Sequence, residues 1–92
     1  MVKNTPWYVY IAKCKNKTLY TGITTDVLRR QTEHKQGKGG AYTRSFRVTK
    51  ILYQEEHPTR SEALKRESQI KGWTRNKKYA LIYNDLKVLK EA

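Results

Sequence analysis

The chain contains a single cysteine, Cys14. That excludes an intramolecular disulfide and a cysteine-based zinc site, and leaves Cys14 as a filler residue at a strand end. Acidic residues are scarce too: eight Asp and Glu stand against 20 Lys and Arg, a formal net charge of +12. An imbalance of that size makes a positive field that draws polyanions, nucleic acid foremost; a basic surface kept for solubility is the plain alternative. Long apolar runs are missing. The longest, residues 7–12, is far too short to span a membrane, and the cationic segments carry no wide apolar face for lying on one. The opening segment MVKNTPW lacks the apolar stretch of a secretory signal, so a cytoplasmic protein with no membrane partner is expected.

What is present is core material for one small unit. Hydrophobic residues make up only 37% of the chain, but seven tyrosines, two tryptophans and one phenylalanine argue for a folded domain. Ninety-two residues suffice for one core, so 1–92 is read as a single domain. A chain of this size buries only about 60 to 68% of its unfolded surface, and few residues can be spared from packing.

Residues 7–13 and 19–23 are rich in β-branched and aromatic types and flank the polar segment KNK, which predicts a β-hairpin. A three-residue loop at Lys15, Asn16 and Lys17 would pair Cys14 with Thr18, Ala12 with Tyr20 and Tyr10 with Gly22. Tyr10 and Tyr20 then share one face as diagonal neighbours; a two-residue loop would separate them. Asp26 is placed to cap a helix running to about Gln36, stopped by Gly37. On it Val27, Gln31 and His34 share a face, with Leu28 and Arg30 at its margins and Arg29 and Glu33 pointing away. The segment GKGGAYTRSFR, residues 37–47, reads as a basic loop in which Lys38, Tyr42, Arg44 and Arg47 are candidates for contacting backbone phosphate and stacking a base. It is not a P-loop, because the G-x-x-x-x-G-K-[ST] order is absent.

Residues 48–56 predict a third strand, ended by a turn at His57 and Pro58; no function is expected of His57. Thr59 and Glu62 form a capping box for a second helix whose apolar face is Ala63, Leu64 and Ile70, with Glu67 in its middle. A carboxylate there is costly unless a cation meets it. Gly72 ends that helix, and Thr74 caps a third over about 75–85, built on Tyr79, Leu81, Ile82 and Leu86. The expected fold is α+β: a small three-stranded antiparallel sheet flanked by helices, in the order β-β-α-β-α-α.

Tyr10, Tyr20, Arg30, His34 and Glu67 are thus expected to converge on one region. In a basic shell they suit phosphodiester hydrolysis. A single carboxylate can hold one hydrated divalent cation, an arginine fork matches phosphate oxygens, and nearby cations would lower a phenol's pKa enough to make it a base.

The segments YVY (8–10) and YTG (20–22), then DVLRRQTEH with Arg30 and His34 four residues apart, then Glu67 within SEALKRESQIK, resemble the GIY-YIG nuclease superfamily over residues 7–73. The likeness is greatest to its short, stand-alone bacterial members, which also carry YTR in the basic loop and IKGW after the glutamate; the amino-terminal nuclease domain of the excision-repair C subunit is a better-known relative. The resemblance implies a metal-dependent endonuclease acting on nucleic acid, DNA first, with DNA repair or recombination as its setting. It implies Glu67 as the ligand of one Mg²⁺ or Mn²⁺ and Arg30 as the phosphate contact. Either tyrosine is allowed as the base. Tyr10 is the first choice, with Tyr20 orienting water or phosphate and His34 holding a phenol or relaying its proton, while Gly22 closes the second motif. Tyr8 stands where the family has glycine and Thr21 where it has isoleucine, and the family's further asparagine is assigned to neither Asn76 nor Asn84. With no appended targeting domain in view, binding should be weak, salt-sensitive and largely sequence-independent, and a protein partner could supply targeting. The alternative is a catalytically silent DNA- or RNA-binding module of the same fold.

Overall fold

The structure, a computed structural model, describes residues 5–36 and 48–84. The elements run β1 (Trp7–Cys14), β2 (Leu19–Thr24), α1 (Val27–Lys35), β3 (Val48–His57), α2 (Arg60–Lys71) and α3 (Arg75–Ile82). This is the expected β-β-α-β-α-α order. The sheet is antiparallel, with strand order β2-β1-β3.

The hairpin has the three-residue turn. Lys17 N–H donates to the Cys14 carbonyl and Cys14 N–H to the Thr18 carbonyl, both at 2.9 Å. Lys17 takes the left-handed conformation, φ 67°, that such a turn requires of its last residue. The Asn16 carboxamide oxygen accepts from both the backbone N–H and the hydroxyl of Thr18. This turn sets the register, pairing Tyr10 with Gly22 and Ala12 with Tyr20.

Alternation along β1 divides the core into two layers. Val9 and Ile11 face α2 and α3, packing with Ala63 and Ile70 and with half-buried Trp7, Leu19, Ile23, Tyr53, Trp73, Leu81 and Ile82. Tyr10, Ala12 and Cys14 face the opposite way, with Val48, Tyr20 and Ile51. That second face carries α1. Cys14 is buried, as a strand-end filler should be.

Four local expectations change. Strand β3 contains irregularities: Ile11 pairs with Tyr53 but Ala12 with Ile51, so Leu52 is left over as a bulge. The bulge puts Ile51 and Tyr53, two apart in sequence, on opposite faces, which strict alternation forbids. His57 is the last residue of β3 and not a turn residue; it pairs with Trp7, and its ring contacts the Glu55 carboxylate, which also accepts from Tyr53 and Arg66. On α2 the inward stripe is Ala63 and Ile70, while Leu64 is exposed, as is Leu28 on α1. Helix α3 ends at Ile82, short of 85, because Asn84 adopts φ 56° and its N–H closes on the Leu81 carbonyl. Asparagine tolerates that left-handed capping position. Leu86 lies outside the described residues.

Each described helix begins at its expected cap: Asp26 accepts from Arg29 N–H, Thr59 from Glu62 N–H and Thr74 from Lys77 N–H. Helix α3 is tied to the hairpin by Arg75, which donates to the Lys17 carbonyl at 2.7 Å. Glycine is indifferent to the sign of φ, so Lys17→Gly should raise unfolding stability by about 0.5–1 kcal/mol, measured by urea denaturation, with no change in slope.

Candidate active site

Four of the five expected catalytic residues meet on the α1 face. The rings of Tyr10 and Tyr20 lie 6.1 Å apart between centroids, and the His34 ring lies 5.7 Å from Tyr10 and 5.3 Å from Tyr20. The Tyr10 hydroxyl is 2.7 Å from His34 Nε2, and Arg30 Nε–H donates to the same oxygen at 3.4 Å. Arg30 reaches this point because Asp26 starts α1 directly after β2, and His34 follows one turn later. Glu33, expected to point away, lies 3.7 Å from Arg30 and braces it from outside.

These contacts decide the protonation pattern. Burial pushes the His34 pKa down to about 4, with the Arg30 charge adding to the effect, so the imidazole is neutral at neutral pH. Arginine can only donate, so the Tyr10 oxygen accepts from Arg30, and one proton is shared between that oxygen and His34 Nε2. His34 Nδ1 is buried with no hydrogen-bond partner among the described residues. Tyr10 is fully buried, and burial raises its pKa above the ordinary phenol value; Arg30 opposes this and loses. The expectation that neighbouring cations lower the Tyr10 pKa is therefore corrected, because desolvation outweighs a single guanidinium. Tyr20 and Arg30 are half exposed and are the two members of the group open to a substrate.

Gly22 has a steric role. A Cβ there would sit 2.6 Å from the Tyr10 hydroxyl oxygen and 2.8 Å from its Cζ. The cross-strand partner of Tyr10 must lack a side chain for the ring to lie where it does.

Glu67 is not in contact with these four groups. It stands on α2, which packs on the Val9 and Ile11 face, and its half-buried carboxylate lies 3.7 Å from the Lys71 ammonium. Lys71 in turn lines a cleft of about 290 Å³ together with Leu19, Tyr20, Thr21 and Lys78, beside the edge strand β2. The carboxylate and the tyrosine pair thus approach one strand from opposite faces. Among the described residues no three His, Cys, Asp or Glu side chains gather. A lone carboxylate oxygen at a solvated edge suits a hard, largely hydrated cation, which fits Mg²⁺ or Mn²⁺. The expected nucleic-acid contacts Lys38, Tyr42, Arg44 and Arg47 lie outside the described residues. No described helix is long and apolar enough to cross a membrane.

Comparison with known proteins gives a consistent answer. The GIY-YIG catalytic domain family matches residues 6–80. UPF0213 proteins of Staphylococcus saprophyticus and Staphylococcus aureus are 48% and 49% identical over 75 residues, covering 82% of this chain and 92% of each relative. Among solved structures, the UPF0213 protein of Bacillus halodurans aligns with a TM-score of 0.52 at 41% identity, over 85% of this chain and 83% of that one. A protein of E. faecalis aligns with a TM-score of 0.59 at 36% identity, over 91% and 90%.

Two outcomes follow from the geometry. Gly22→Ala should destabilise the fold by roughly 1–3 kcal/mol through overpacking and shift the Tyr10 ring resonances in an NMR spectrum. Unfolded His34 takes up a proton below about 6.5, whereas the folded form resists until about 4. Its contribution is present above that window and lost as pH falls through it, on the order of 2 kcal/mol. Stability measured across the window should fall less steeply in His34→Asn than in the wild type.

Proposed function

The chain belongs to the GIY-YIG catalytic domain family, and on that premise we propose that it is an endonuclease hydrolysing phosphodiester bonds, of DNA first, with one divalent cation held at Glu67. Family membership carries a nuclease-like function, with nucleic acid bound and a divalent metal used. The finer reading is supported chiefly by one observation: the Tyr10 hydroxyl joined to both Arg30 and His34, behind a half-exposed Tyr20.

Exposure and proton placement allot the roles. Arg30 keeps a hydrogen bond to Tyr10 while part of its guanidinium stays open, so it meets a phosphate oxygen and stabilises charge that grows in the transition state. Tyr20, acting as the phenolate, takes a proton from the attacking water and becomes the phenol. Tyr10 stays protonated and is a positioning residue: neutral His34 and Arg30 both hold its hydroxyl, which keeps the ring beside Tyr20. This reverses the first choice of Tyr10 as base. Glu67 would hold the cation, whose chemistry is to offset charge on the phosphate and leaving oxygen. A chain with a formal net charge of +12 favours backbone contact over sequence reading, and repair or recombination of DNA is the matching setting.

The test is nicking of supercoiled, single-stranded and branched DNA with Mg²⁺ or Mn²⁺. Wild type should nick; Tyr20→Phe, Arg30→Ala and Glu67→Ala should each lose about 100-fold or more, and Tyr10→Phe about tenfold, in the range set by loss of general-base and electrostatic groups. Binding without nicking in either metal would establish the silent binding module instead. Variants that nick like wild type would remove these residues from the chemistry.

A further inference from the structure

The cleft beside β2 has features that neither packing nor the catalytic group uses. Thr21 pairs with Ile11 in the sheet and is 4% exposed, yet its hydroxyl has no hydrogen-bond partner among the described residues. A buried hydroxyl left unpaired costs about 1–3 kcal/mol, and valine would fill the same volume without that cost. Thr21 lines a cleft whose other polar walls are Lys71, Lys78 and Tyr20, with its hydroxyl buried directly behind that wall. Lys71 lies beside Glu67, whereas Lys78 makes no ion pair among the described residues. Two ammonium groups around a recess of about 290 Å³, with an unsatisfied hydroxyl behind its wall that a rotation about χ1 can turn inward, make a receptor for one tetrahedral anion with several oxygens.

We propose that this cleft seats a phosphate of the nucleic-acid backbone next to the one cleaved, with Lys71 and Lys78 neutralising it and Thr21 donating a hydrogen bond. The proposal rests on the nuclease reading, because that reading puts the cleaved phosphate at Tyr20 and Arg30, and Tyr20 is shared between the two places. The cleft supplies what the catalytic group lacks: cations beyond Arg30 that hold the strand in register without reading bases. It contains no acceptor array for a base edge, so the bound group is a phosphodiester whatever the sequence.

The test is binding of a fluorescein-labelled DNA duplex with a single-stranded overhang, in EDTA so that nothing is cleaved, over a range of salt concentrations. The double variant Lys71→Gln, Lys78→Gln should lower the slope of log affinity against log salt by about 1 and weaken low-salt binding about tenfold, the signature of one lost phosphate contact. A charge-matched control, Lys50→Gln, Lys65→Gln, removes two exposed cations outside the cleft and should keep the wild-type slope. Thr21→Val should melt at or above the wild-type temperature while binding severalfold more weakly, a split that a packing role would not give. Equal slopes for the cleft and control variants, or unchanged binding by Thr21→Val, would overturn the cleft proposal while leaving the nuclease reading standing. Failure of wild type to bind at any salt would sink both.

Discussion

The contact between Tyr10 and Gly22 is the constraint from which the rest of the site is built. The three-residue turn makes them cross-strand partners, and the missing Cβ at Gly22 lets the Tyr10 ring lie flat across β2. From that position its hydroxyl reaches both Arg30 and His34. A slip of one residue in the hairpin would send Tyr10 into the apolar layer of Val9 and Ile11 and empty the site. The unfavourable backbone of Lys17 is therefore held by a tertiary contact: Arg75, at the start of α3, clamps the Lys17 carbonyl. A helix on the far layer thus helps hold the register on which the catalytic layer depends.

Burial then settles the chemistry of the group. Tyr10 and His34 are both shut away from solvent, and both are held in their neutral forms. A neutral phenol and a neutral imidazole can sit 2.7 Å apart only with one proton between them, and Arg30 adds a second hydrogen bond to the same oxygen. Such a pair is rigid and poorly reactive by itself. In the proposed reaction the reactive groups are those at the rim, Tyr20 and Arg30, and the buried pair sits behind them.

Much of this was legible because the signals are local. The caps at Asp26, Thr59 and Thr74 and the spacing from Arg30 to His34 each depend on a few neighbouring residues, and each appears in the structure where the sequence puts it; the turn length, open between two and three residues in the sequence, is three in the structure. What was not legible depends on distant partners. The bulge at Leu52 answers to the register of β1 and not to any property of the segment itself. Leu64 and Leu28 lie beside the inward stripes of their helices, and only the final helix rotation leaves them exposed. The sign of the Tyr10 shift required weighing desolvation against one guanidinium, and sequence reveals the guanidinium but not the depth of burial. Asn84 carried a usable signal, its tolerance of left-handed backbone, that went unread in favour of apolar spacing.

The position of β2 at the sheet edge explains why the candidate groups divide between two layers. Tyr20 belongs to the α1 face and its neighbour Thr21 to the α2 face, because successive residues of a strand point in opposite directions. In a central strand those two sides would be sealed from each other by the next strand. At an edge they meet around the rim, where a substrate can touch both at once. Glu67 and Lys71 stand on α2 and Arg30 on α1, so the proposed engagement of all three by one polyanion would need no rearrangement of the core, only a chain laid along the open side of β2. A protein with thin stability is well served by such a site: the core layers stay apolar on one side and neutral on the other, and the charges that nucleic acid must meet remain at the solvated edge.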